Sequence, residues 1–203
     1  TAPPKKAAPP EVSPEPSAAA WVVASLGFRP DPRQVDFLNC QDQRIALCTS
    51  RQSGKTQVAA AKALHSALTN PATDYLLFGP VARQSGNLLH RIRTFCKFLH
   101  LLTKSDPDHE NSLVLPNGSR FVALPGVPDN IRGFAAIKVV IVDEAAFVDD
   151  GIYPAVSPML AVSNGSLWAL STPNGQTNVF YQLCNTPANG WTVLRSPAEE
   201  CPR

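Results

Sequence analysis

The residues Thr49-Ser50-Arg51-Gln52-Ser53-Gly54-Lys55-Thr56 have the types and order of a phosphate-binding loop. Gly54 lets the backbone approach an anion, and amides opening a following helix point at it. Lys55 has the reach for the β and γ oxygens of a nucleoside triphosphate, and Thr56 can set its hydroxyl on Mg²⁺. Thr49 stands where the usual pattern carries its first glycine. A second segment, Val139-Val140-Ile141-Val142-Asp143-Glu144, is an apolar strand that delivers two carboxylates at its C-terminal end. In isolation an Asp-Glu pair more often ends a strand and caps the next helix, but beside the Lys55 loop the chemistry becomes specific. Asp143 would hold Mg²⁺ directly or through water, and Glu144 would orient and deprotonate an attacking water. Glutamate directly after aspartate points to hydrolysis rather than transfer to a small metabolite. His65, His90, His100 and His109 show no metal-ligand spacing with cysteine, and no Ser-His-Asp or Cys-His arrangement stands out.

These residues need elements to hold them. Asp31 followed by Pro32 is a helix start, with Val35, Phe37 and Leu38 giving an apolar side through about Gln41. Arg44 to Cys48 reads as a buried strand, and Lys55 to Leu68 as an Ala-rich helix, so strand, loop and helix follow in direct succession. Tyr75 to Phe78 and Ala82 to Leu102 repeat the pattern. Leu113 to Leu115 and Phe121 to Leu124, joined through Asn117-Gly118, signal a hairpin, because Asn-Gly supplies the positive φ of a tight turn. Further strands are expected at Lys138 to Val142, Ser166 to Leu170 and Trp191 to Leu194, with a helix at Val179 to Leu183. Strands alternating with helices imply an α/β fold with a mostly parallel sheet and helices on both faces.

The whole chain has 203 residues, 44% hydrophobic and 17% charged, with a formal net charge of +2. That length buries a core without disulfides or a structural metal, so small disulfide-scaffold and metal-finger classes fall away. The five cysteines are odd in number and form no C-x-x-C pair, which suggests reduced thiols. No apolar run reaches bilayer length and no signal core opens the chain, so no membrane partner is expected. Near-neutral charge argues against a protein that coats nucleic acid by neutralising many phosphates. The face with Arg83, Arg91, Arg93 and Lys97 reads as solvated, since no aromatics interleave for base stacking. Eight of the twenty prolines fall in the first 32 residues, and residues 1–20 read as a disordered Pro/Ala-rich linker.

The chain resembles the large terminase subunit of tailed bacteriophages, the motor that packages DNA. The resemblance covers roughly Phe28 to Arg195 and rests on the loop Ser50 to Thr56, on Arg132-Gly133 before the Asp143-Glu144 strand, and on Ser171-Thr172-Pro173 after the next strand. It implies a RecA-like P-loop NTPase of the ASCE type spanning 21–203 and cut short at its C-terminus. It implies ATP and Mg²⁺ as cofactors, with Ser50, Arg51, Gln52, Ser53, Gly54, Lys55 and Thr56 on the nucleotide and Thr56 with Asp143 on the metal. Gln34 looks like an adenine-reading glutamine, whose amide both donates and accepts. Ser171-Thr172-Pro173 is similar to the family's coupling motif, usually Thr-Thr-Pro, and Ser171 keeps the hydroxyl. Arg51 acting in cis and Arg132 reaching a neighbour's nucleotide compete as the arginine finger. Double-stranded DNA, a portal protein, a small terminase subunit and a homo-oligomeric ring are the partners implied, in the cytoplasm of a bacterial host.

A complete large terminase also resembles a two-domain machine with a metal-dependent nuclease. The residues after Pro173 leave no room for it, so this chain is expected to act as an ATPase without nuclease activity. Two other readings stay open: a helicase-type ATPase fragment, and a prophage remnant that binds nucleotide without turnover.

Overall fold

The computed structural model describes residues 17–102, 109–131, 134, 137–186 and 190–196. The first helix, α1 (Ala18–Trp21), is capped by the Ser17 hydroxyl and runs into a π-helical turn, Val22–Leu26. It therefore occupies residues that composition alone assigns to the linker. Small alanines allow this: Ala18 and Ala19 are buried against the core, so the segment has apolar contacts that its lack of large side chains hid. Residues 1–16 lie outside the described residues.

The helix α2 (Pro32–Asn39) opens on a full capping box, with the Asp31 carboxylate accepting from Gln34 N and the Gln34 side chain accepting from Asp31 N. Then come β1 (Arg44–Thr49), α3 (Lys55–Thr69), β2 (Asp74–Gly79), α4 (Ala82–Phe98), β3 (Ser112–Val114), β4 (Arg120–Pro125), β5 (Val139–Asp143), α5 (Ile152–Ser163), β6 (Ser166–Ser171), α6 (Val179–Asn185) and β7 (Thr192–Ser196). α4 stops four residues short of its expected end, where the backbone turns left-handed at His100 with φ +55°. The hairpin forms as expected, β3 antiparallel to β4, with Gly118 at φ +84° and Leu115 N bonded to Ser119 O at 2.8 Å. α5 is an element the sequence does not announce, because Pro154 and Pro158 read as loop punctuation. Pro154 falls in the first turn, where no N–H is needed, while Ile152, Val156 and Leu160 supply a buried stripe that outweighs Pro158.

One seven-stranded sheet has the order β3-β4-β2-β5-β6-β1-β7, parallel at every pairing except β3 with β4. Its strands alternate between two cores even where the sequence is apolar throughout. Val139 and Ile141 join the layer under α1 to α4, while Val140 and Val142 join the layer under α5 and α6. Burial on both faces is why these strands read as continuous apolar runs. The crossovers place the ends of β1, β5 and β6 side by side on one edge, with β6 between the phosphate-loop strand and the carboxylate strand. Of the basic residues on α4, Arg93 does not face water alone: its guanidinium donates to His109 O at 2.6 Å and Ser112 O at 3.1 Å, holding β3 to the helix. Among the described residues no helix is long and apolar enough to cross a membrane.

Candidate active site

The loop after β1 is shaped by two left-handed residues, Gln52 at φ +61° and Gly54 at φ +73°. A side chain at Gly54 would be strained by that φ, and its Cβ would lie 2.9 Å from Gln34 Nε2 and push that amide aside. Thr49, in the place of the usual first glycine, is buried, and its hydroxyl oxygen accepts from Ser53 Oγ at 2.8 Å. The loop is thus braced internally where glycine would leave it open. Its base is tied to β7 through Ser50 N to Ser196 O at 3.1 Å. No side chain caps the start of α3, so the positive end of a fifteen-residue helix faces the loop.

Lys55 and Thr56 each meet a carboxylate from the end of β5. Lys55 Nζ is 2.9 Å from Glu144 Oε1, and Thr56 Oγ1 donates to Asp143 Oδ2 at 2.9 Å. The other Asp143 oxygen accepts from Glu144 N at 3.0 Å. Asp143 is buried, and desolvation pushes its carboxyl above the ordinary aspartate range, against the pull of the Thr56 hydrogen bond and the Lys55 charge. Glu144 sits in the left-handed region at φ +52°, a conformation that costs a non-glycine residue about 1–3 kcal/mol. Its Oε2 is buried without a hydrogen-bond partner. A strained carboxylate with one unsatisfied oxygen is suited to receive a group that arrives with the ligand.

The turn carrying Glu144 is held from β6. Ser171 Oγ accepts from Ala146 N at 3.2 Å, and Asn174 Nδ2 donates to Ala146 O at 3.3 Å. The hydroxyl expected at Ser171 is present and engaged with the backbone just after Glu144. Thr172, by contrast, lines an open cleft of about 400 Å³ with Arg51, Gln52, Lys55, Glu144 and Phe147. Pro173 lies beside it at the mouth of a separate hollow under α6. Gln34 reaches the loop from α2: Nε2 donates to Ser53 O at 2.9 Å while Oε1 accepts from Asp31 N at 3.1 Å. One amide hydrogen and one lone pair remain for a base. Arg132 and Gly133 lie outside the described residues.

Of the residues expected from sequence, Arg51, Gln52, Lys55, Thr56, Asp143, Glu144 and Thr172 converge on one sheet edge, with Ser50, Ser53, Gly54 and Gln34 behind them. The bracing roles of Thr49 and Asn174 escape sequence reasoning. Thr49 has only its departure from pattern as a signal, and Asn174 only its place after Pro173. The donor set, a threonine hydroxyl and a carboxylate, is the hard-oxygen kind that suits Mg²⁺, and the orphaned Glu144 oxygen fits a site completed by ligand.

A mostly parallel sheet flanked by helices on both faces, with a phosphate loop and an Asp-Glu pair one strand apart, defines a RecA-like P-loop NTPase fold. A family model described as the N-terminal region of T4-type terminase large subunits matches residues 46–200, and the chain belongs to that family. The terminase large subunits of Thermus virus P23-45 and Thermus phage G20c are each 26% identical to it over 178 residues, covering 78% of this chain and 36% of theirs. The chain thus spans about a third of the length of these relatives. Among solved structures, the large terminase ATPase domain of Thermus phage P74-26 superposes with a TM-score of 0.71 at 22% identity, covering 86% of this chain and 83% of that one. The large terminase of another thermophilic bacteriophage, solved in complex with ADP, gives a TM-score of 0.66 at 15% identity, covering 88% of this chain and 45% of that one.

Proposed function

We propose that this chain binds ATP with Mg²⁺ and hydrolyses it to drive double-stranded DNA into a viral procapsid, as the motor part of a large terminase. The observation that carries the reading is the paired geometry of Lys55 with Glu144 and Thr56 with Asp143 in one cleft. The triphosphate lies along the amides from Ser50 to Thr56, with Lys55 on its outer phosphates. Thr56 and Asp143 would hold the Mg²⁺, which would supply positive charge against the phosphates. To bind the γ-phosphate, Lys55 has to leave Glu144, and this frees the carboxylate to take the proton of the attacking water. Ser171, bonded to the turn after Glu144, and Thr172, facing the cleft, make the route by which loss of the γ-phosphate reaches the rest of the molecule.

Arg132 acts in trans as the arginine finger and Arg51 contacts phosphate in cis. The working assembly is a homo-oligomeric ring with a portal protein, a small terminase subunit and DNA. The test is steady-state phosphate release from Mg·ATP, with and without double-stranded DNA, beside Glu144→Gln. Turnover that disappears in Glu144→Gln is the expected result. Nucleotide binding without Glu144-dependent turnover, in the assembled ring as well as in the isolated chain, would sink the hydrolytic reading and leave a binding protein.

A further inference from the structure

Lys62 lies two turns along α3 from Lys55, and it is 6% exposed. Its ammonium donates to Phe37 O at 2.7 Å, Leu38 O at 3.0 Å and Cys40 O at 2.5 Å. Two of these carbonyls belong to the last turn of α2, where a helix leaves its acceptors without intrahelical donors. The same nitrogen sits 5.1 Å from the ring centroids of Phe37 and Trp168, whose electron-rich faces favour a cation. Three N–H groups thus meet three carbonyls. An apolar side chain would fill this space without the cost of desolvating a charge, so packing alone does not explain a lysine here.

The far end of α2 is tied as well. There Gln34 Nε2 bonds to Ser53 O in the phosphate loop, and Gln34 Oε1 is fixed by Asp31 N. α2 has eight residues, too few to hold a helix in water unaided, so its placement comes from what it is attached to. We propose that Lys62 is a positioning residue for nucleotide-base recognition: by gathering the C-terminal carbonyls of α2 onto α3, it fixes where Gln34 presents its remaining amide hydrogen and lone pair. The proposal rests on the reading of Gln34 as an adenine contact. An amide in fixed orientation matches the donor-acceptor edge of adenine and mismatches the acceptor-rich edge of guanine.

The experiment is calorimetric binding of ADP and of GDP to the full chain carrying Gln34→Ala, Lys62→Met or both, with wild type and Lys55→Ala alongside. Each single change at Gln34 or Lys62 should weaken ADP about fivefold more than it weakens GDP, the worth of one hydrogen bond, any loss common to both ligands coming through the Ser53 carbonyl that Gln34 holds. The double variant should bind ADP no more weakly than Gln34→Ala alone, because Lys62 acts through Gln34. Equal loss of ADP and GDP in Lys62→Met, full additivity, or wild-type ADP affinity in Lys62→Met would overturn the proposal. No effect of Gln34→Ala would overturn it too, while ADP binding abolished by Lys55→Ala would leave the proposed function standing. If Lys62→Met melts below the assay temperature, Lys62→Gln, which keeps a shorter donor, is judged by the same outcomes.

Discussion

Lys55 and Lys62 stand on the same helix two turns apart, and their surroundings differ completely. Lys55 opens α3 beside a cleft and is ion-paired with a side chain, the Glu144 carboxylate, which on the proposed function a phosphate replaces. Lys62 is buried against three backbone carbonyls and two rings, partners that belong to the fold and not to a ligand. The lesson is that a lysine's role follows from whether its partner is exchangeable. On the proposed function Lys55 trades a side-chain acceptor for a ligand, whereas Lys62 holds main chain and so holds shape.

The comparison breaks first at Lys55. Lys55→Ala should lower Mg·ATP turnover at least about a hundredfold, as for loss of a group aimed at developing phosphate charge, and cost less in urea unfolding than Lys62→Met, because the Glu144 carboxylate it leaves unpaired keeps partial access to water. A large loss of stability with activity retained would reverse the roles assigned to the two lysines. Lys62→Met should do the opposite: by stranding buried carbonyls it should cost about 3 kcal/mol in urea unfolding at pH 7. Burial pushes the Lys62 ammonium down to about 8 from its ordinary 10.5. Between those values the unfolded chain keeps a proton that the folded chain has released, so this group makes stability rise with pH across that window. The gap between wild type and Lys62→Met should therefore widen from pH 8 towards 10, and a constant gap would mean that Lys62 keeps its ordinary titration.

The smallest change in stability is expected at Asp143. Because burial raises its carboxyl in the folded chain, its ionised form at neutral pH costs stability that returns as pH falls towards the folded value. Asp143→Asn should raise the melting midpoint of the nucleotide-free protein while removing Mg²⁺-dependent turnover. A lowered midpoint would mean instead that the ionised Asp143 carboxylate serves the fold.

Local pattern carried most of the fold. The Asp31-Pro32 start, the Asn117-Gly118 hairpin and the apolar run before Asp143 each act over a few residues, and each appears where those residues dictate. α1 and α5 escaped because alanines and prolines say little alone, and only the surface they pack on makes them helical. Likewise Lys55, Thr56, Asp143 and Glu144 were legible as residue types. Their pairing across the sheet, Lys55 with Glu144 and Thr56 with Asp143, was not. Nor was the capture of Gln34 by its own cap and the loop, which spends part of the amide expected to be free.

By itself the sequence determined the inventory: a loop able to cradle phosphate, a strand able to deliver two carboxylates, and a third motif keeping its hydroxyl, because those properties reside in side chains and their neighbours. Tertiary structure decided which groups meet. Inserting β6 between β1 and β5 brings Ser171 under the Glu144 turn, and folding α2 onto α3 turns Lys62 inward to the carbonyls. Such contacts join residues far apart in the chain, and their energies exist only once the sheet has set the strand order and the cores have excluded water.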